Sequence, residues 1–357
     1  MVSLDRPLAA AARRSLLRWY QRRSRKLPWR ESKNPYTVWV SEIMLQQTQI
    51  ETVIPYYQRF IREFPTVSRL AEAPLERVLE LWSGLGYYRR ATNLHQAARE
   101  IAAKHGGAFP REMEQALSMP GVGNYTARAV LSIAYNQPYA VLDGNVARVM
   151  ARVLALRGNL HQPRFRRLIE ENLELLLSRR SPGNFNQAMM ELGQTLCLPR
   201  SPRCSVCPLC QGCGGFQLGR AASYPEPRPR RQAEEWHLAT AVLYRNQQVM
   251  LIRGLDDGLL GDLWNFPSAL GQTSKEALAR LREKLRSELG TAPLLAAPEH
   301  KLHHNITHRS IQVHVYEGNL STGPVRGKFR WFHSRTIERA AVSQLARKIA
   351  RNLGATI

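Results

Sequence analysis

Four cysteines fall within seventeen residues of this chain: Cys197, Cys204, Cys207 and Cys213, separated by six, two and five residues. One loop supplying four soft thiolates suits a [4Fe–4S] cluster, whose ligands must converge on a small centre. A helical pattern over 186–196 leads into the loop, and Pro199, Pro202 and Pro208 then force extended and turn backbone, so the loop can wrap. Zinc is the competing reading, since it also takes four cysteines, usually as two CxxC knuckles set well apart. Cys204 and Cys207 form one such pair; Cys207 and Cys210 form a second, overlapping one, which offers Cys210 as a replacement ligand. The spacing favours the cluster, with Cys210 spare. Disulfides do not suit, because no signal peptide is evident and all five cysteines lie in this one stretch.

A second constellation lies upstream. The string Leu117-Ser-Met-Pro-Gly-Val-Gly-Asn-Tyr125-Thr-Ala places Pro-Gly-Val-Gly between two helical segments. Gly121 and Gly123 let the backbone approach another molecule, and the amides opening the next helix favour an anionic oxygen. That is a helix–hairpin–helix, over about 117–127, and its usual partner is a DNA phosphate. Eighteen residues past Tyr125 comes Asp143, followed by Gly144 and a helix starting near Asn145. Alone, Asp143 reads as an N-cap; with the hairpin and the cysteine loop it reads as catalytic.

These groups are positioned by a mostly helical region. Apolar residues recur at helical spacing over Ala9–Tyr20, Val38–Glu63, Glu76–Trp82, Tyr88–Lys104, Thr126–Ala134, Asn145–Leu154 and Phe165–Leu177. Breaks are expected at 84–86, 106–107, 121–123 and 182–183. Three alternating prolines over Tyr224–Arg231 predict a stiff linker. Beyond it the pattern predicts strands at Leu238–Tyr244, Gln248–Arg253 and Ile311–Tyr316 with a turn at 245–247, and a helix at Glu276–Leu289. The expected architecture is multidomain: a helical domain over 1–223, a linker over 224–232, and an α+β domain over 233–357. Lys and Arg outnumber Asp and Glu by 51 to 28, a net charge of +23. Such an excess predicts a polyanionic partner, most simply nucleic acid. The arginines are dispersed rather than gathered on one amphipathic helix, which argues against membrane-surface binding, and no apolar run is long enough to span a bilayer.

The order hairpin, Asp, four-cysteine loop resembles the helix–hairpin–helix DNA glycosylases. Leu27-Pro-Trp-Arg30, Trp39-Val-Ser-Glu42-Ile-Met-Leu-Gln-Gln-Thr48 and Gly84-Leu-Gly-Tyr-Tyr88 are similar to the MutY family of adenine glycosylases in particular, and the resemblance runs through essentially the whole chain. It implies a [4Fe–4S] cluster on Cys197, Cys204, Cys207 and Cys213, with Cys210 left out. It implies a monomer, in a bacterial-type cytoplasm at the nucleoid, acting on adenine paired with 8-oxoguanine or guanine in duplex DNA. In the roles so implied, Glu42 is the general acid at adenine N7. Asp143 stabilises the sugar cation, and Tyr125 and Asn145 orient the two carboxylates. Trp29, Arg30, Leu45 and Gln187 surround the extruded base. Gln47 and Tyr87 wedge into the duplex, supported by Thr48, Leu85 and Tyr88. The related endonuclease III type carries a lysine where this chain has Tyr125, and no lysine lies between Lys104 and Lys275, so strand cleavage by a lyase step is not expected.

The second domain resembles a Nudix hydrolase fold, through Leu263-Trp-Asn-Phe-Pro267 and the helix ending at Gly290. Ser287 stands beside Glu288 where a working Nudix helix keeps a metal-binding Glu pair, which argues against hydrolysis by this domain. The resemblance implies instead that it reads 8-oxoguanine through Ile306-Thr307-His308, with Ile306 replacing the family's aromatic. The histidines at 300, 303, 304, 308 and 314 are read as part of a DNA-facing surface, with metal binding as the alternative.

Overall fold

The structure is a computed structural model and describes residues 4–227, 234–253, 263–290, 293–296, 300–306, 309–320, 329–333, 336–337 and 340–353. Its contacts divide the chain into two compact units: Met1–Glu72 with Asn93–Pro229, and Ala73–Thr92 with Arg230–Ile357. Residues 73–92 therefore group with the C-terminal part of the chain. Among the described residues, no helix is long and apolar enough to cross a membrane.

The first unit is built from α1 (Arg6–Arg23), α2 (Pro35–Leu45), α3 (Ile50–Glu63) and α4 (Val67–Glu72). Past α5 (Leu75–Trp82), which belongs to the second unit, follow α6 (Arg89–Lys104), whose residues up to Thr92 also group with the second unit, α7 (Met113–Ser118), α8 (Asn124–Tyr135), α9 (Gly144–Val153), α10 (Pro163–Leu176), α11 (Pro182–Thr195) and the single turn α12 (Gly214–Gln217). The central helix is α2, which is apolar on nearly every side and accordingly buried from Val38 to Met44. It packs on α8, which in turn packs on α11. A second apolar cluster joins α1, α9, α10 and α11 through Leu16, Met150, Phe165, Ile169 and Phe185. At the crossing of α11 and α9 there is no room for a side chain. A Cβ at Gly193 would lie 2.7 Å from the Cβ of Asn145 and 3.1 Å from its carbonyl oxygen.

The expected single helix over Val38–Glu63 is instead two. After Leu45 the chain turns at Gln46–Gln49, with Gln47 in the left-handed region at φ 57°, before α3 begins. No Gly or Pro marks this break. It is held by the Gln46 side-chain amide donating to the Thr126 hydroxyl at 3.2 Å and by the Thr48 amide donating to the Leu45 carbonyl at 3.3 Å. The expected hairpin is α7, a turn and α8, with Gly121 at φ 75° and packed so closely on Asn93 that a Cβ there would meet the Asn93 Cβ at 2.7 Å.

In the second unit a mixed sheet runs in the order β3-β2-β1-β6-β5, with β4 beside β1 and β7 beside β2. The strands are β1 (Glu234–Arg245), β2 (Gln248–Arg253), β3 (Trp264–Asn265), β4 (Ser268–Gly271), β5 (His300–Ile306), β6 (Arg309–Asn319) and β7 (Phe329–His333). Only the β1–β6 pair is parallel among them. The expected turn between the first two strands is a two-residue hairpin, Asn246 and Gln247 both at positive φ, which matches strand twist. Helix α13 (Ser274–Leu289) covers one face through Ala277, Leu281, Leu285 and Leu289. Its start is capped reciprocally: Thr273 accepts from the Glu276 amide and Glu276 from the Gln272 amide. Helix α14 (Gln344–Leu353) closes the described chain. Tyr224 and Glu226, at the start of the expected linker, are tied to the first unit through Arg152 and the Gly158 carbonyl.

Candidate active site

A cleft of about 910 Å³ opens in the first unit, and ten of the expected site residues line it: Trp29, Arg30, Glu42, Leu45, Gln47, Thr48, Tyr125, Asp143, Asn145 and Gln187. They arrive on several separate supports. Trp29 and Arg30 sit on a short turn at Pro28–Arg30, with the Trp29 ring edge-on to Tyr57 at 5.3 Å. Glu42 and Leu45 come from α2, Tyr125 from the first turn of α8, Asn145 from α9, and Gln187 from α11.

Glu42 is 5 % exposed, a carboxyl taken almost wholly out of water. Burial, and then the neighbouring charge of Asp143, push its pKa up to about 7; the Tyr125 hydroxyl and Arg30 pull against them and lose. Near neutral pH Glu42 therefore populates both the acid and the carboxylate. Tyr125 donates to Glu42 Oε2 at 2.9 Å, and its hydroxyl also lies 3.3 Å from the Met190 sulfur. Burial, Glu42 and Asp143 hold the Tyr125 pKa well above the usual phenol range, so it stays a donor.

Asp143 caps α9. One oxygen accepts from the Val146 amide at 2.7 Å and the other from the Asn145 side-chain amide at 2.9 Å. The positive end of a helix and two donors stabilise negative charge there. The cap and the catalytic reading do not exclude each other, since the capping side chain also lines the cleft. Asn145 is fixed from behind by Arg148, which donates to its Oδ1 at 2.9 Å, to the Gly193 carbonyl at 2.8 Å and to the Cys197 carbonyl at 2.9 Å. The raised Glu42 carboxyl and the helix-capping Asp143 carboxyl thus line one cleft, and a pair of carboxyl groups is the equipment that glycoside cleavage requires.

Residues 40–175 match the HhH-GPD superfamily of base excision DNA repair proteins, and residues 239–352 match the NUDIX domain. The adenine DNA glycosylase of Rattus norvegicus is 34 % identical over 96 % of this chain and 77 % of its own length. That of Buchnera aphidicola subsp. Acyrthosiphon pisum is 35 % identical over 82 % of this chain and 83 % of its own. The chain belongs to the MutY family of adenine DNA glycosylases. It is a DNA N-glycosylase with a Nudix-like second domain. Among solved structures, a thermostable thymine-DNA glycosylase superposes with a TM-score of 0.54 at 25 % identity, covering 59 % of this chain and 98 % of its own.

Other MutY-family positions lie outside the cleft. Gly121 and Gly123 are in the hairpin, where the first turn of α8 presents amides that no helical carbonyl reaches. Leu85, Tyr87 and Tyr88 belong to the second unit: Leu85 is buried, and Tyr87 is 51 % exposed at φ 49°. Gln47 and Tyr87, the two expected wedge residues, thus share a left-handed backbone that non-glycine residues rarely adopt, and such outliers gather at functional sites. Thr307 and His308 lie outside the described residues, and so does the side chain of Ile306.

The five cysteines of this MutY-family chain line one small cavity together with Leu192, Leu196, Leu209 and Phe216. Burial pushes the Cys207 thiol up to about 12, with the sulfurs of Cys197, Cys213 and Cys210 adding to it; Cys204 and Cys213 are raised in the same way. Thiolates so crowded and dry persist only beside compensating positive charge, which an iron centre supplies, so the donor set fits a [4Fe–4S] cluster. Among the described residues no three such side chains converge closely enough to hold a single metal ion. Arg152, 2 % exposed, anchors the start of the loop by donating to the carbonyls of Leu198, Pro199 and Tyr224 and to the Cys197 sulfur.

Two residues escaped sequence reasoning: Arg25, which lines the cleft, and the buried Glu191 that holds it and Arg30. Glu191, on α11, is fully buried and bridges Arg25 at 2.7 Å and Arg30 at 3.0 Å. Its burial raises its pKa, but the two guanidiniums outweigh this and leave it lowered. A lone acid in the apolar run Ala188-Met-Met-Glu-Leu192 is a legible sign of a paired charge, whereas Arg25 is hidden in a basic run that reads as solvated surface.

Proposed function

We propose that this chain removes adenine opposite 8-oxoguanine, or guanine, in duplex DNA by hydrolysing its N-glycosidic bond, without cutting the strand. The observation that carries the reading is the buried Glu42, held near neutrality at about 7 and bonded to Tyr125. Adenine in a stack cannot be reached, so its nucleotide is extruded into the cleft. Trp29, Arg30 and Leu45 enclose the base, and Gln187, able to donate and accept, meets its edge. Glu42 gives its proton to N7. The base leaves with the bonding electron pair, and Asp143 stabilises the sugar cation that remains. Water adds at the sugar carbon and loses its proton to the Glu42 carboxylate, which restores the acid. Tyr125 and Asn145 hold the two carboxyls in register.

Lysine would form a Schiff base with the opened sugar and cleave the strand; Tyr125, kept protonated, does not. Amides around Gly121 and Gly123 grip a phosphate of the flipped strand. Gln47 and Tyr87, backed by Thr48, Leu85 and Tyr88, fill the space the nucleotide vacates, and Thr307 and His308 read the opposite base. Cys197, Cys204, Cys207 and Cys213 would hold the [4Fe–4S] cluster, whose bound chemistry is a cross-link that fixes the loop. The enzyme works as a monomer in the cytoplasm, on nucleoid DNA. The test is incubation of excess protein with a duplex holding one central A:8-oxoguanine pair. Free adenine, with strand breaks only after alkali, is expected; direct scission, or binding without base release, contradicts the reading.

A further inference from the structure

Helix α5 and the turn behind it are secured at both ends, within the second unit, by residues far away in sequence. At its start, the Glu76 carboxylate accepts from Trp264 Nε1 at 3.3 Å and from Arg330 at 3.2 Å. At its end, the buried Ser83 hydroxyl accepts a 2.6 Å bond from Arg347 on α14 and donates to the Val342 carbonyl at 3.1 Å. Tyr88 OH donates to that same carbonyl at 3.5 Å and accepts from the Gly84 amide at 3.2 Å. Val342 is itself fully buried and bridged to β3 at Trp264. Ser83 and Tyr88 bracket the turn that carries Tyr87.

That turn is not relaxed backbone. Gly84 and Gly86 have φ of 109° and 73°, and between Gly86 and Tyr88 the exposed Tyr87 is held at 49°. A ring presented from a left-handed residue keeps its direction only when its surroundings over-determine it. On the near side Arg90 contributes, with its guanidinium 5.4 Å from the Tyr87 ring centre and donating to the Gly86 carbonyl. On the far side the contribution comes from the C-terminal segment.

We propose that Arg347 is a positioning residue for excision: through Ser83, and with the Val342 carbonyl and Tyr88, it fixes the Gly84–Tyr88 turn and so aims Tyr87. The C-terminal domain then has a task besides reading the opposite base, which is to brace the wedge. This rests on the reading of Tyr87 as the wedge.

The test measures duplex binding and single-turnover adenine release on an A:8-oxoguanine duplex by the full chain. The variants are Tyr87→Ala, Ser83→Ala, Arg347→Lys, Arg347→Met and the Arg347→Met/Tyr87→Ala double. Arg347→Met keeps the apolar stem, and Ser83→Ala serves if it fails to fold. Arg347→Met and Ser83→Ala should each weaken binding roughly tenfold, with Arg347→Lys recovering most of the loss. In the Tyr87→Ala background Arg347→Met should cost nothing more, because it acts through Tyr87. The dependence of binding on salt should keep its slope, since no phosphate contact is lost. Full additivity with Tyr87→Ala, or a slope reduced by about one contact, overturns the proposal and makes Arg347 a direct DNA contact. An Arg347→Met protein that equals wild type overturns it while leaving the wedge reading intact. A Tyr87→Ala protein that equals wild type removes the wedge reading, and this proposal with it.

Discussion

Glu42 is the residue on which chemistry and stability oppose each other. Folding raises its pKa from 4.5 to about 7, so between these values the folded state binds more protons than the unfolded one. Stability is therefore greatest below the unfolded value, falls as pH rises toward 7, and is flat above it. The loss is on the order of 3 kcal/mol. Glu42→Gln removes the ionisation. Its melting temperature relative to wild type should rise between pH 5 and pH 8, and a difference that does not change with pH would contradict the assignment. The same shift predicts that kcat/KM falls as pH climbs through about 7, because the free enzyme then loses its acid. This residue is legible in the sequence because an acid inside the apolar run Val38–Leu45 has no solvated face to occupy. The left-handed conformations of Gln47 and Tyr87 are not legible, since their side chains carry no local signal for positive φ and tertiary contacts impose it.

Among the elements, α11 and α9 are the pair that sets the site. They meet where Gly193 lies against Asn145, and Asn145 in turn holds Asp143. Gly193→Ala inserts a methyl 2.7 Å from the Asn145 Cβ. Asn145 must shift, and the Asp143 carboxylate loses a donor. Single-turnover release should slow by roughly a hundredfold, with duplex binding and the visible absorbance of the proposed cluster unchanged; an unaltered rate would show that the register of Asn145 is unimportant. Long amphipathic helices such as α9 and α10 are readable from apolar spacing alone. The break between α2 and α3 is not, because Gln46 and Thr48 are ordinary helix residues until Thr126 and the Leu45 carbonyl bind them. The short strands β3, β4 and β7 escape for a related reason: runs of two to five residues are too brief to show alternation, and pairing partners decide them.

For the molecule as a whole, a net charge of +23 supplies a general attraction to DNA, and in the proposed function the cleft supplies the discrimination. The cysteine loop is joined to the cleft by a continuous run of hydrogen bonds, from the Cys197 carbonyl through Arg148 and Asn145 to Asp143. Both the loop and the two cleft carboxylates are visible in sequence; their physical connection is not, because Arg148 reads only as one basic residue on an amphipathic helix. The central claim is that two carboxyl groups, one a proton donor and one a charge stabiliser, cleave the bond to an extruded adenine. Single-turnover release by Glu42→Gln, measured beside its affinity for the same A:8-oxoguanine duplex, tests this most directly. Affinity within a few-fold of wild type with release slowed by roughly a thousandfold or more is the predicted result; a variant that binds and releases adenine at the wild-type rate would contradict the account.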